Sequence, residues 1–558
     1  MKKRNIIALS IITSVSLNAA NVPNIGDALK QIETPKLKKE KEVELPSIQQ
    51  EDVTLKKFDD SKKVLVKIVE ISGNEKISNE KLKELVSSYE NKELSFKDMN
   101  ELSTLITKKY RQEGYFVARA YIPKQNIFSQ EGLLKINVIE GKYGEFQLEN
   151  KSLVKDSILQ ANLDNIKDEN IVSTDTLERA MLVINDTPGV VVTKAEVKPG
   201  KEVGTSDFVI GTETTKKYDG YVIGDNYGSQ YTGKHRIMTG VDVNSPFEIG
   251  DKITFSALTS EEIGLLNGRI AYDFPINPNG TRGEISFSKT EYELGSSYKE
   301  LDAIGSSDSI NFRITSPYTK SRLENIDLFL DVSYNDMTDE IKATDTKTEK
   351  KSYVLTVGTD YTKDYVLFDK NSQTRATVSL TTGTLKFKDK DDKDLDESGV
   401  NTNGNFSKIN VELGQDFDLN DKLRWENTLQ AQYALGNKNL DGSQDLSIGG
   451  INGVKFYPDG EESAENGYIF NTELLYKLPN YKDLSSQISI FYDVGRVRMS
   501  NDSSTEENRR TLQDVGIGYY GSYKDLFVNM HLAKNIAHEV TSQKDYENRF
   551  LAQIGWVF

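Results

Sequence analysis

Arg549-Phe-Leu-Ala-Gln-Ile-Gly-Trp-Val-Phe558 decides the fold. In an extended chain successive side chains point to opposite faces, so Phe550, Ala552, Ile554, Trp556 and Phe558 share one side. A soluble sheet edge carrying such a row would be an aggregation site. A closing strand of a membrane barrel instead presents it to lipid, and Trp556 and Phe558 read as that barrel's terminal signal. The same alternation runs upstream. Ile326, Leu328, Leu330, Val332 and Tyr334 form one face; Ile488, Ile490, Tyr492 and Val494 form another, opposite Ser489, Phe491, Asp493 and Gly495. Leu526, Val528, Met530 and Leu532 face away from Asn529 and His531. Polar connections, such as Lys388–Gly404 and Asn501–Asn508, separate these segments. Residues 216–558 hold 22 of the 27 Tyr and both Trp. At roughly 20 residues per strand and connection, this zone gives about 16 or 17 strands, and the even-number rule selects 16 antiparallel strands.

Composition alone suggests something else. The 558 residues are 37% hydrophobic and 28% charged, with a mean hydropathy of -0.54. No apolar run after the N-terminus reaches the roughly 18 residues of a membrane helix, which excludes a polytopic helical protein but not a barrel. Cysteine is absent, so disulfides, thiolate metal sites and Cys nucleophiles are excluded together. A net charge of -16 argues against a nucleic-acid partner, since phosphate binding needs basic patches. Met1-Lys-Lys-Arg4, the apolar run Ile6–Leu17 and the small Ala19 and Ala20 read as a signal peptide over residues 1–20.

Between leader and barrel lie two zones. In residues 21–60, Val22–Glu33 reads as a short amphipathic helix with Ile25, Ala28, Leu29 and Ile32 on one side. The charged run from Pro35 reads as a solvated linker. Residues 61–142 and 143–215 read as two copies of one α+β module with the order β-α-α-β-β. The first starts with a strand over Val64–Ile71. A helix with Leu82, Leu85, Val86 and Tyr89 on one stripe follows, capped by Ser78. A second helix starts at Ser95 and Asp98 and carries Met99, Leu102, Ile106 and Tyr110 inward. Gly114 stops it, and strands over Tyr115–Ile122 and Leu133–Ile139 close the module. The second copy reads as a strand at Phe146–Leu148, helices over Ser152–Leu163 and Asp175–Ile184, and strands over Val190–Val197 and Asp207–Ile210. The repeated order is an internal repeat.

Five segments carry a resemblance. They are Pro23–Glu33; Tyr218-Asp-Gly-Tyr-Val-Ile-Gly-Asp-Asn-Tyr-Gly-Ser-Gln-Tyr-Thr-Gly233; Asn244-Ser-Pro-Phe-Glu-Ile-Gly-Asp251; Gly449-Gly-Ile-Asn-Gly-Val-Lys-Phe-Tyr-Pro-Asp-Gly-Glu461; and Phe491-Tyr-Asp-Val-Gly-Arg-Val497. In this order, and over the whole chain beyond the leader, they resemble the TpsB type of two-partner secretion transporter. These are POTRA-bearing outer-membrane barrels that include haemolysin secretion/activation proteins. The resemblance implies that Ile25, Leu29 and Ile32 belong to a plug-like helix in the lumen. It also implies that Gly453, Val454, Phe456, Tyr457, Pro458, Gly460 and Glu461 belong to a loop folded inward, and that Phe491 and Gly495 mark the barrel wall opposite. The family's loop normally carries Arg where Lys455 stands, and that cation reaches a wall Asp corresponding to Asp493. Asp493 shares the polar side of its strand with Ser489, so it should face the lumen. A Lys pairs there as a point charge rather than a bidentate fork, which predicts a weaker or more mobile latch.

The function implied is export of an unfolded partner exoprotein through an outer-membrane pore, with the POTRA-like modules in the periplasm. Outer-membrane lipid and the barrel-assembly machinery would be further partners. Two alternatives stay open: a barrel-assembly factor of the same superfamily, and a passive porin. A plug-like helix counts against the first and two modules against the second. An enzyme is not expected. There is no G-x-S-x-G elbow, and His235, His531 and His538 are scattered. Gly228…Gly233-Lys234 lacks the Ser/Thr of a phosphate loop. The acidic stretch Lys388–Asp396 lacks the Gly and Glu of a calcium loop. No metal or cofactor is expected.

Overall fold

A computed structural model describes residues 22–32, 45–47, 62–498, 509–541 and 547–558. The leader expected over 1–20, the charged run from Pro35 and the connection Asn501–Asn508 lie outside the described residues.

The chain begins with a short helix, α1 (Ile25–Lys30). The first module holds β1 (Lys63–Val66), β2 (Ile68–Ser72), α2 (Asn79–Val86), β3 (Lys92–Ser95), α3 (Phe96–Gln112), β4 (Arg119–Tyr121) and β5 (Leu133–Ile139). The order therefore departs from β-α-α-β-β. The stretch Val64–Ile71 breaks at Lys67, where the Lys67 N–H turns aside to the Gly132 carbonyl. β1 then pairs with β3, an additional strand, while β2 enters the sheet β2-β5-β4. The Ser78 side chain makes no cap hydrogen bond. Ser95 and Asp98 form a reciprocal capping box on α3, satisfying donors the first turn leaves open. Gly114 takes φ +89° just past α3.

The second module holds β6 (Lys142–Lys151), α4 (Asp156–Asn165), α5 (Thr174–Asn185), β7 (Val191–Pro199) and β8 (Thr205–Glu213). Its sheet order is β6-β8-β7, with β6 parallel and β7 antiparallel to β8. β2-β5-β4 has the same pattern, so the repeat is structural. Leu45, far upstream in sequence, is only 6% exposed and joins the apolar core of this second module.

Sixteen antiparallel strands close into a barrel. They are β9 (Tyr218–Asp225), β10 (Arg236–Asn244), β11 (Lys252–Ser260), β12 (Leu265–Pro275), β13 (Arg282–Glu293), β14 (Ala303–Lys320), β15 (Glu324–Ile341), β16 (Thr346–Leu367), β17 (Lys370–Phe387), β18 (Gly404–Asp418) and β19 (Leu423–Ala434). The rest are β22 (Asn466–Lys477), β23 (Leu484–Arg498), β24 (Arg509–Tyr523), β25 (Leu526–Asn535) and β26 (Arg549–Val557); the two-residue β20 (Leu446–Ser447) and β21 (Ser463–Ala464) pair within a loop. Closure joins β26 to β9, with Gly220 and Phe558 exchanging both backbone hydrogen bonds at 3.1 and 3.0 Å.

Alternation sets the two faces. Phe255, Ile270, Phe287 and Ile310 are register neighbours and exposed outward. Asn267, Thr290 and Ser307, also neighbours, are buried inward. An apolar outer band over a polar interior suits lipid outside and water inside. The acidic connection after β17 is not irregular throughout: α6 (Lys390–Ser398) forms there, with the Asp389 side chain accepting from the N–H groups of Asp391 and Asp392.

The second module sits on the short turns at one barrel end. Arg179 donates to the Pro317 carbonyl at 2.8 Å, Lys320 meets Asp186 at 2.5 Å, and Arg322 meets Glu178 at 2.7 Å. Ser245 donates to the Pro188 carbonyl at 2.9 Å. The long connections, including the segment between β19 and β22, leave from the other end.

Candidate functional site

Two segments fill the interior near the end distal to the modules. The first is α1. At six residues it is too short to persist alone, so its surroundings hold it. Asn24 and Asp27 form a capping box. Ile25 and Ala28 are buried among Ile223, Met238, Leu258, Leu265, Tyr292 and Met337, inward residues of β9–β13 and β15. Leu29 and Ile32 pack there too, partly buried. Polar contacts hold both ends. The Ile25 N–H donates to Asp339 Oδ1 at 2.7 Å, and Tyr292 donates to the same oxygen at 2.8 Å. The Gln31 carbonyl accepts from Arg236 Nη1 at 2.9 Å, and the Gln31 side-chain oxygen accepts from Thr232 at 2.8 Å. Arg236 is itself held by Asp225 at 2.9 Å.

The second segment is the connection between β19 and β22. Lys455 Nζ lies 2.9 and 3.2 Å from the two carboxylate oxygens of Asp493. It also stands 4.4 Å above the Phe491 ring, where the ring face attracts a cation. Lys455 is 7% exposed and Asp493 0%, so this is a desolvated pair rather than a wet one. Val454, Phe456 and Tyr457 are fully buried against Phe491, Ile469, Val497 and Leu512. Gly495 permits the approach: a Cβ there would meet the Ile448 Cβ at 2.8 Å. Gly453 is similarly confined by the Ile448 carbonyl at 2.5 Å, and the Asn471 side chain donates to the Gly453 carbonyl at 2.7 Å. Pro458 crowds Gly449. Gly460 has φ +76° and Glu461 accepts from Arg510 at 2.6 Å and from the Thr541 N–H at 2.7 Å. Trp556 and Phe558 are not part of this assembly. Their rings pair at 4.7 Å beside the β26–β9 seam, with Trp556 on the outer face.

Sequence reasoning missed several partners. Lys350 on β16 lies 2.8 Å from Asp441 of the loop and 3.8 Å from Asp339. Asp514 on β24 accepts the Phe456 N–H. Arg236, Asp225, Asp339 and Arg510 are likewise inward strand residues. Their signal was available: a charged residue at an inward position of an alternating strand has to find a partner in the lumen. Chemically the arrangement is a set of hydrogen bonds and ion pairs that tie two lumen segments to the barrel wall. Among the described residues no cluster of His, Asp and Glu could hold a metal ion.

The sequence pattern of the family described as haemolysin secretion/activation protein ShlB/FhaC/HecB matches residues 204–521, more than half of the chain. That of the POTRA domain, ShlB-type, matches residues 64–141. The chain is 27% identical over 557 residues to the heme/hemopexin transporter protein HuxB of Haemophilus influenzae, covering 97% of this chain and 96% of that protein. Among solved structures it is similar to CdiB from Escherichia coli, with a TM-score of 0.74 at 17% identity over 100% of this chain and 99% of that one. CdiB from Acinetobacter baumannii gives 0.65 at 16% identity, covering 92% and 95%. At these identities the structures show the shared fold. With the family pattern spanning most of the barrel and a relative aligned over nearly its whole length, the chain belongs to the haemolysin secretion/activation protein family, ShlB/FhaC/HecB.

Proposed function

We propose that this two-partner secretion transporter of the outer membrane captures its unfolded partner exoprotein with the periplasmic POTRA modules. It then passes the exoprotein outward through the barrel once α1 and the inward loop have moved aside. One observation carries this reading: both obstructing segments are held by side-chain hydrogen bonds and ion pairs, not by strand pairing to the wall. Such contacts break and re-form without unfolding the barrel. Each module offers sheet edges, at β4 and at β7. An extended peptide can add to such an edge through its backbone before its side chains matter. The export reading involves no catalytic step on the cargo. The outer apolar band contacts outer-membrane lipid, and the barrel-assembly machinery inserts the barrel.

Deleting residues 21–33 should raise single-channel conductance in planar bilayers. Unchanged conductance would show that α1 is not the obstruction. Deleting residues 61–215 should abolish export while leaving a heat-modifiable barrel, and normal export by that variant would refute capture by the modules.

A further inference from the structure

Asp493 and Asp514 face each other directly across β23 and β24. Both are inward and 0% exposed. Directly opposed side chains on one sheet face have Cβ atoms about 4.5–5.5 Å apart, and like charges there repel. Among the described residues Lys455 is the one cation ion-paired to either carboxylate, and both of its close contacts go to Asp493. Asp514 uses one oxygen to accept the Phe456 N–H, and its other oxygen, Oδ1, is buried without a hydrogen-bond partner. An orphaned buried carboxylate oxygen beside a second carboxylate is the arrangement in which two acids hold one proton between them.

We propose that Asp514 is a second, proton-dependent anchor of the inward loop: it shares one proton with Asp493 and grips the loop backbone at Phe456. Charge arithmetic supports this. With the proton present, Lys455 balances the single negative charge of the pair. Without it, two carboxylates oppose one ammonium in a desolvated site. The other ionisable groups nearby do not offer a better balance. Glu473 also faces Lys455 and accepts from Tyr520 at 2.7 Å, and Tyr520 in turn meets His531 Nε2 at 3.0 Å. Arg549 donates to the Lys455 and Phe456 carbonyls, at 3.3 and 3.4 Å. The loop should therefore loosen as pH rises.

This inference rests on the loop being an obstruction, so two separate readouts are needed. The first is the infrared carbonyl band of a protonated carboxylic acid in the detergent-solubilised full-length protein, which reports the proton whatever the loop does. It should be present in the wild type and lost in Asp514→Asn. Absence of such a band, or its persistence in the variant, would overturn the shared proton. The second is open probability in planar bilayers. In the wild type it should rise on the order of tenfold per pH unit across the pair's titration. Asp514→Asn, whose amide accepts from Phe456 and donates to Asp493, should stay closed throughout. Asp514→Ala should be open throughout. An Asn variant that behaves like Ala would overturn the proposal, as would opening driven by replacing small cations with a bulky organic cation at fixed pH.

Discussion

The ammonium of Lys350, on the barrel wall, lies 2.8 Å from the carboxylate of Asp441, on the inward loop. The same ammonium is 3.8 Å from Asp339, which receives the N–H of Ile25 at the start of α1. One buried cation thus serves both segments that fill the lumen. Removing it leaves the buried Asp441 and the partly buried Asp339 carboxylates without their cation, and breaking a buried pair costs about 3–5 kcal/mol. Lys350→Met should therefore release helix and loop together. Cysteines introduced singly at Leu29 and at Ser443 should both become accessible to a bulky thiol reagent added outside. Labelling of one without the other would show that Lys350 does not couple them.

The Lys455–Asp493 pair leads to a second prediction. Asp493→Ala removes the carboxylate that both close contacts of the Lys455 ammonium go to, leaving it buried over the Phe491 ring with Asp514 and Glu473 as the nearby carboxylates, at a cost of about 2–5 kcal/mol. Export should fall accordingly. Lys455→Arg should be tolerated, because a guanidinium offers more donors to the same carboxylate. The check is the amount of partner protein in the medium at equal transporter levels. Full export by Asp493→Ala would remove the pair from the mechanism.

At Gly495 the prediction concerns space alone. A methyl group there would stand 2.8 Å from the Ile448 Cβ and 3.2 Å from Val454 Cγ2. Overpacking of this kind typically costs about 1–3 kcal/mol. Gly495→Ala should push the loop off the wall and raise open probability without changing barrel heat-modifiability, as judged by gel mobility. A closed channel would mean that the wall gives way instead.

What the sequence could and could not reveal follows from the physics of each feature. The barrel was legible because an inside–outside alternation of period two is written into every strand, and its strand number because length and even parity constrain it together. The strand β3 was not, since Lys92-Glu-Leu-Ser95 is short and polar and gains its pairing only from the break at Lys67. For the lumen, alternation tells which way Asp493, Asp514, Asp339 and Lys350 point but not which lie at one height. Height depends on register and on the lengths of the connections between strands. The meeting of Lys455 with Asp493 was suggested by the family resemblance, whereas Asp514 emerged only from the register of β23 against β24.

Leu45 sets the reach of the helix. It is buried in the second module's core, between α1 and the first module in sequence. Once α1 leaves the lumen, residues 33–44 can span at most about 40 Å from that anchor. Burying a carboxylate in place of an apolar side chain destabilises the contact by several kcal/mol, on the order of 2–5. Leu45→Asp should free the tether while leaving the barrel intact. The displaced helix should then return more slowly, so open dwell times in planar bilayers should lengthen. Leu45→Met, which keeps the volume and the apolar contact, should behave as wild type. Identical dwell times in the Asp variant would mean that the tether plays no part in returning α1 to the lumen.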